Sequence, residues 1–213
     1  MDNRSPPAKC LNLWPTLLMN DQLPDAQTPN RLLVEEIEQR DAAESNMTTT
    51  CRNHNFFASE QPAIGWLREC INQAVIRYLK QTAVDYPLEW HLQGWPNINR
   101  FGDYHNLHNH PRAWLSGTYY VAVLSETEPL PGRSDRTPGA ISFFHPRPQA
   151  NMTAIRHDPQ VDPEHRVQPA PGMILLWPAF LHHLVHPNLS QKPRISISFN
   201  IVLKESKAHL PHQ

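Results

Sequence analysis

Two histidine clusters hold the residue types most able to do chemistry in this sequence. Residues 105–110 read HNLHNH and residues 182–186 read HHLVH. In an extended segment, residues i and i+2 point the same way, so His108 and His110 are predicted to lie side by side. Two adjacent imidazoles and a third on the same face of a metal ion leave the opposite positions open for substrate and oxygen. The spacing therefore predicts a catalytic metal site.

The third ligand is predicted to come from the second cluster. His183 follows the apolar strand-like run 173–177, which the chain leaves through Pro178. Imidazole binds Fe, Zn, Cu and Ni alike, so the ligand type alone does not choose the metal. In the first cluster, His105 is predicted to be a loop residue outside the ligand set.

An arginine on a later strand is the second element of the predicted site. Residues 194–203 read RISISFNIVL, so Arg194, Ser196 and Ser198 share one face of a strand and apolar residues share the other. A guanidinium that points inward needs an anion, and its planar shape holds a carboxylate through two parallel hydrogen bonds. Arg194 is therefore predicted to bind a carboxylate, with the Ser196 hydroxyl beside it.

Short strands without intervening helices must position these side chains. Strand-like runs cover residues 89–101, 114–124, 139–144, 173–177 and 194–203. Helical patterns occupy the chain before them. This order predicts a mainly β fold, an antiparallel sandwich or jelly roll with helices packed on one outer face.

Two amphipathic helices are predicted within residues 1–87, ahead of the strands. Thr28 is the expected N-cap of the first helix and Pro29 its first residue. Its expected apolar face consists of Leu32, Leu33 and Ile37. The second helix starts near residues 59–62 and ends before Pro87. Its apolar residues recur at helical steps: Ile64, Leu67, Ile71, Ala74, Val75, Tyr78 and Leu79.

Composition limits the classes of function. The 213 residues carry a net charge of -1 without a long run of like charges, so neither a nucleic-acid nor a membrane-surface partner is expected. A single domain is expected, with a helical support at 1–87, a β core at 88–204 and a tail at 205–213. Three cysteines, no CxxC motif and no signal-like or membrane-spanning run favour a cytoplasmic protein.

Polar and apolar segments outside these elements also have predicted roles. The loops 125–138 and 145–170 are expected to form the mouth of the site, with one short strand near residues 152–155. They carry four arginines able to meet an anionic substrate: Arg133, Arg136, Arg147 and Arg156. The apolar patch 11–18 is predicted to form an edge strand and is a candidate surface for a homodimer.

Several motifs together resemble a known family. They are WPNIN at 95–99, HNHP at 108–111, LSGTYYV at 115–121, GMILLWP at 172–178 and RISISFN at 194–200. Similar motifs occur in the 2-oxoglutarate/Fe(II)-dependent oxygenases of bacteria and phages. The resemblance covers most of the chain and is strongest after residue 88. It implies a double-stranded β-helix, which is a distorted, cupin-like jelly roll.

The resemblance implies a set of metal ligands. His108 and His183 match the two metal histidines of the family. The wider superfamily uses His-x-Asp or His-x-Glu, whereas this sequence has His110 at the second position. Three neutral imidazoles would leave the metal centre with one more positive charge. Asp103 is an alternative source of a carboxylate, but its spacing fits poorly.

The resemblance also implies residues that bind the co-substrate. Arg194 matches the arginine that pairs with the distal carboxylate of 2-oxoglutarate, with Ser196 beside it. Tyr120 matches a tyrosine that often supports the same carboxylate. Asn97 and Asn99 are expected to line the pocket from the neighbouring strand. The Pro-Arg-Pro setting of Arg147 matches the family as well, which makes it a candidate substrate contact.

The implied activity is that of a non-haem Fe(II) dioxygenase. Such an enzyme couples oxidative decarboxylation of 2-oxoglutarate to hydroxylation of a small-molecule or peptide substrate by molecular oxygen. Two other functions fit the same histidines: a cupin-like three-histidine metalloenzyme that does not use 2-oxoglutarate, and a non-catalytic metal-binding jelly roll. Arg194 separates the first function from these, because only a keto-acid co-substrate requires it.

Overall fold

Two α-helices, a short 3-10 helix (Phe56–Ala58) and nine strands make up the regular structure of the described residues. A computed structural model describes residues 13–43, 55–82, 84, 87–123, 137–147, 158 and 160–204. The helices are α1 (Gln27–Ala43) and α2 (Pro62–Gln81). The strands are β1 (Met19–Gln22), β2 (Trp90–Asn99), β3 (His105–His108), β4 (Leu115–Ala122), β5 (Ile141–Phe144), β6 (Glu164–Val167), β7 (Met173–Pro178), β8 (His183–Val185) and β9 (Arg194–Leu203).

The strands form two antiparallel sheets that face each other. The major sheet has the order β1-β7-β4-β9-β2 and the minor sheet the order β3-β8-β5-β6. Consecutive residues of β4 point to opposite sides of the major sheet. Tyr119 packs in the core beneath the helices, and Tyr120 packs in the core between the sheets. This is the double-stranded β-helix expected from the sequence, with the helices on one outer face.

The helices cover the outer face of the major sheet as predicted, with two corrections. The predicted core residues of α2 are buried, with Leu79 partly so. In α1, Leu33 and Ile37 are buried, but Leu32 is 40% exposed, so its assignment to the apolar face is wrong. The polar Asn30 takes that place and accepts a hydrogen bond from the Tyr119 hydroxyl (2.6 Å). Neither helix has the length and apolar character that a bilayer span requires.

The predicted start of α1 is also wrong. The amide of Asn30 already donates to the carbonyl oxygen of Ala26 (2.8 Å), so the helix begins at Gln27 and Thr28 lies inside it. Thr28 therefore does not cap the helix. Pro29 still falls in the first turn, where its missing N–H removes no helical hydrogen bond.

Short strands account for most differences from the prediction. β1 is one of the two edge strands of the major sheet and begins at Met19, so the edge strand predicted at 11–18 is wrong for its described residues 13–18, which form no strand. Strand β6 lies in the segment 145–170 predicted to be a loop, and β8 is not among the predicted strands. Both are only three or four residues long, and β6 reads EHRV, so neither has an apolar alternation from which a strand could be predicted. The predicted strand at 152–155, most of the two loops and the tail lie outside the described residues.

Gly117 in β4 is required by close packing against its neighbours β7 and β9 in the major sheet. A Cβ at this position would lie 2.2 Å from a Phe199 ring carbon and 2.6 Å from the Leu175 carbonyl oxygen. We expect Gly117→Ala to lower the free energy of unfolding by about 2 kcal/mol, because a buried ring and a paired strand must both shift. Urea denaturation of the two proteins measures the difference. The control is Gly65→Ala, because the added methyl meets only the end of the Arg68 side chain at 3.9 Å. Equal losses in both variants would contradict this account.

Candidate metal centre

Three histidines from two neighbouring strands converge between the sheets. His108 ends β3, His110 lies two residues further on, and His183 begins β8. His108 and His183 are paired across the two strands. The ring centroids lie 4.3 Å apart for His108 and His183, 5.2 Å for His108 and His110, and 5.4 Å for His110 and His183. One ring nitrogen from each histidine lies within 4.8 Å of the others, so a single metal ion could contact all three.

Backbone hydrogen bonds fix the orientation of two of these rings. His108 Nδ1 lies 2.6 Å from the Asn106 carbonyl oxygen, and His183 Nδ1 lies 3.1 Å from the Leu181 carbonyl oxygen. A carbonyl only accepts, so in each ring Nδ1 carries the proton and Nε2 keeps a free lone pair. This is the usual arrangement of a metal-binding histidine whose other nitrogen is held by the protein.

The turn that carries His110 is anchored to the segment before β8. The His110 amide donates to the Ala179 carbonyl oxygen (2.9 Å), and the Asn109 side chain donates to the Phe180 carbonyl oxygen (3.3 Å). Asn109 points away from the cluster, as the alternation predicts. Trp95 packs on the other side of His110, with ring centroids 6.0 Å apart. The ring of His110 is therefore held by backbone and packing together.

The surroundings keep His110 and His183 neutral. Burial, reinforced by the nearby His108, lowers the pKa of His183 to about 3 and that of His110 to about 4. A metal ligand must offer a lone pair, so the neutral form is the one that binds metal. Asp103 is not part of this group. Its carboxylate accepts a hydrogen bond from the Arg100 amide (2.8 Å) and closes the turn before β3.

Arg194 is buried in the same space with unused hydrogen-bond donors. It is 3% exposed, and one terminal nitrogen donates to the Gly139 carbonyl oxygen (3.0 Å). Its Nε and the hydroxyl of the buried Tyr120 have no hydrogen-bond partner among the described residues. Burial raises the pKa of Tyr120 to about 12, so its hydroxyl keeps the proton. A buried cation next to idle donors is costly unless an anion binds there, and a carboxylate would satisfy both groups.

A cavity of about 510 Å³ connects the histidines with Arg194. Among the predicted site residues, Asn97, Tyr120 and Ser196 line it together with the three histidines and the arginine. Asn97 also donates to the Ser198 hydroxyl (2.8 Å). None of the described lining residues is acidic. The donor set and the cavity therefore fit a divalent cation of the transition series together with a carboxylate ligand.

Asn99 and His105 differ from their predicted positions. Asn99 is buried but is not among the lining residues, because its side chain reaches His105 (Nδ2 to Nε2, 3.2 Å). His105 lies in β3 and lines the cavity, so its prediction as a loop residue is wrong, although it is not one of the three converging histidines. Strict alternation puts residues 105 and 108 on opposite faces. The pairing of β3 with β8 is irregular between them, and this turns both rings inward.

Arg147, the predicted substrate contact, does not line the cavity. The Arg147 guanidinium donates to the carbonyl oxygens of Leu13 (3.1 Å) and Trp14 (3.4 Å) and is not among the lining residues. Its role as a substrate contact stays a prediction. Arg133, Arg136 and Arg156 lie outside the described residues. In the second cluster, His182 is exposed, and His186 lies with Ser142 on a different face of the minor sheet (Nε2 to Oγ, 2.7 Å).

Comparison with solved structures shows the same fold in several proteins. A prolyl-4-hydroxylase from Pseudomonas putida aligns over 88% of this chain and 88% of its own, with 16% identity and a TM-score of 0.57. HygX from Streptomyces hygroscopicus, solved with nickel and 2-oxoglutarate bound, aligns over 88% and 83% with 14% identity and a TM-score of 0.59. A prolyl hydroxylase from Trichoplax adhaerens, in complex with a hypoxia inducible factor peptide fragment, gives the same coverage, identity and TM-score.

Sequence comparison identifies the family. No curated protein matches the chain significantly. The family model described as "Putative 2OG-Fe(II) oxygenase" matches residues 93–200, which span β2 to β9 and contain the three histidines and Arg194. The chain therefore belongs to the 2OG-Fe(II) oxygenase family, enzymes that depend on Fe(II) and 2-oxoglutarate.

Proposed function

We propose that this chain is a 2-oxoglutarate-dependent hydroxylase in which His108, His110 and His183 hold the Fe(II). The single observation that carries this proposal is the buried Arg194, with unpaired hydrogen-bond donors, in the same cavity as three converging imidazoles. A site for a metal alone would not need this cation. The same observation disfavours the cupin-like and non-catalytic alternatives, because neither requires a buried carboxylate site.

The co-substrate is bound mainly by residues of the major sheet. When 2-oxoglutarate is bound, Arg194 and the Tyr120 hydroxyl would both donate hydrogen bonds to its distal carboxylate. Ser196 supplies a further hydroxyl from the same face of β9. These three residues sit on neighbouring strands whose pairing is fixed, Tyr120 opposite Ser196. The rigid sheet thus sets the depth to which the dicarboxylate enters.

The protein's other task is to keep the reacting groups in place and away from water. When bound, Fe(II) and 2-oxoglutarate supply the oxidative decarboxylation to succinate and carbon dioxide and the oxidation of a substrate C–H bond by oxygen. The Nδ1 hydrogen bonds of His108 and His183 hold their Nε2 lone pairs toward the shared point. Trp177 and Phe143 pack against the His183 ring, with ring centroids at 4.9 Å and 6.0 Å, and exclude water from that side.

The third imidazole gives the proposed centre an unusual charge. With His110 in place of a carboxylate, the ligands do not neutralise any of the metal's charge. The dianionic co-substrate then offsets most of the combined charge of the metal and Arg194.

We propose a small-molecule or peptide substrate that enters past Trp95 and Tyr104, both of which line the cavity. A cytoplasmic location, a homodimer and the absence of a nucleic-acid partner stay predictions.

The proposal is tested by anaerobic spectroscopy. Protein purified free of metal is loaded with Fe(II) without oxygen, and 2-oxoglutarate is then added. We expect a visible metal-to-ligand charge-transfer band that requires both additions. Loading with Zn(II) is the control, because its filled d shell gives no such band. Failure to form the band with a full complement of Fe(II) would contradict the proposal.

A further inference from the structure

His105 is a polar residue of the cavity to which neither the family motifs nor the metal site give a role. It is the first residue of β3, opposite Val185 of β8, and it lines the cavity. Its ring centroid lies 6.3 Å from that of His108. It does not belong to the group of histidines whose ring nitrogens converge on one point. A ligand role is therefore not the reason for its position.

The side chain of Asn99 fixes one end of the His105 ring. Asn99 Nδ2 lies 3.2 Å from His105 Nε2, and Asn99 itself is 1% exposed. Because the amide nitrogen is a donor, Nε2 must accept, and the proton of the neutral ring then sits on Nδ1. That Nδ1–H has no hydrogen-bond partner among the described residues. Asn99 thus presents His105 to the cavity as a donor.

The residue that holds His105 lies next to Arg194 in the major sheet. Asn99 of β2 is paired directly with Arg194 of β9, so the residue that holds His105 is the strand neighbour of the arginine. Burial and the charge of Arg194 lower the pKa of His105 to about 4, which is consistent with a neutral ring close to that cation. His105 therefore borders the space between Arg194 and His108.

We propose that His105 donates a hydrogen bond from Nδ1–H to the carboxylate that Arg194 binds, and so positions 2-oxoglutarate. This inference rests on the proposed function. A dicarboxylate in this cavity offers only acceptors, and a ring whose proton is fixed on Nδ1 is a matched donor. Together with Arg194 and Tyr120, His105 would surround the carboxylate from both sheets, since β3 belongs to the minor sheet and β9 to the major sheet.

Two isosteric variants separate this role from a structural one. The side-chain nitrogen of asparagine falls close to the place of Nδ1, and the side-chain oxygen of glutamine can take the place of Nε2 and accept from Asn99 Nδ2. His105→Asn keeps the donor toward the carboxylate and loses the contact with Asn99. His105→Gln keeps the contact with Asn99 and loses the donor. Each protein is loaded with Ni(II), which is redox-inert here, and the Kd of 2-oxoglutarate is measured by isothermal titration calorimetry.

We expect His105→Gln to weaken 2-oxoglutarate binding about 10-fold and His105→Asn to restore most of the affinity, because a hydrogen bond to a charged group is lost only in the former. Pyruvate has the same 2-oxo acid head without the second carboxylate, and we expect it to bind both variants as it binds the unchanged protein. The inference is overturned if the order of the two variants is reversed or if both bind 2-oxoglutarate normally. If the unchanged protein does not bind 2-oxoglutarate at all, the proposed function itself fails.

Discussion

Arg194→Ala is expected to weaken 2-oxoglutarate binding by at least about 100-fold, which corresponds to the loss of a buried, hydrogen-bonded charge pair. Arg194 is buried, and one of its guanidinium nitrogens has no partner among the described residues, so the carboxylate is the group that would satisfy it. Tyr120 and Ser196 cannot replace its charge. The Kd is measured by calorimetry on the Ni(II)-loaded protein, with pyruvate as the ligand that lacks the second carboxylate.

Arg112→Ala is the matched control for this prediction. Arg112 is exposed and does not line the cavity, so its loss should leave the Kd unchanged. Pyruvate should bind Arg194→Ala and the unchanged protein alike, because it has no group for the arginine to hold. If Arg194→Ala binds 2-oxoglutarate with normal affinity, the co-substrate does not lie against β9 and the proposed orientation is wrong.

His183→Ala is expected to abolish stable Fe(II) binding, and the exposed neighbour His182→Ala should retain it. His183 is 4% exposed and its ring lies nearest to that of His108, so its removal leaves only two imidazoles, both from the edge strand β3 and the turn after it. With the loss of one of three ligands, we expect the affinity to fall by about 100-fold or more. Equilibrium dialysis against Fe(II) under anaerobic conditions, followed by metal analysis, measures the difference.

His110→Asp serves as the second control, because it tests the unusual ligand directly. A carboxylate is a common iron ligand at this position of a facial three-residue site, so this variant should still bind Fe(II). His110→Ala should bind Fe(II) more weakly than both the unchanged protein and His110→Asp. Retention of full Fe(II) affinity in both His183→Ala and His110→Ala would show that the metal is held elsewhere.

Much of this site is predictable because its residues lie on long, regular strands. β9 runs from residue 194 to 203 as predicted, and its alternation places Arg194 and Ser196 inward and Ile195 and Ile197 in the core beneath the helices. Similarly, α2 has a clear helical period, and its predicted core residues are buried. In such elements the positions of the side chains follow from the period alone.

The errors fall where an element is short or its pairing irregular. β3 has four residues, and the irregular register between His105 and His108 brings into the cavity a ring that alternation would place outside. Leu32 of α1 is exposed because Asn30 is drawn inward by the Tyr119 hydroxyl. In both cases a contact with another part of the chain overrides the local pattern. Such a contact cannot be predicted from the periodicity of the element itself.

The most direct test of the central claim is the oxygen-dependent conversion of 2-oxoglutarate. The full chain is incubated with Fe(II) and 2-oxoglutarate in air, without added substrate, and succinate is measured by mass spectrometry. We predict slow succinate release that stops without Fe(II) or oxygen and is lost in Arg194→Ala and His183→Ala. If Fe(II)-loaded protein releases no succinate above the protein-free background, or if Arg194→Ala releases as much as the unchanged protein, the account of this site is contradicted.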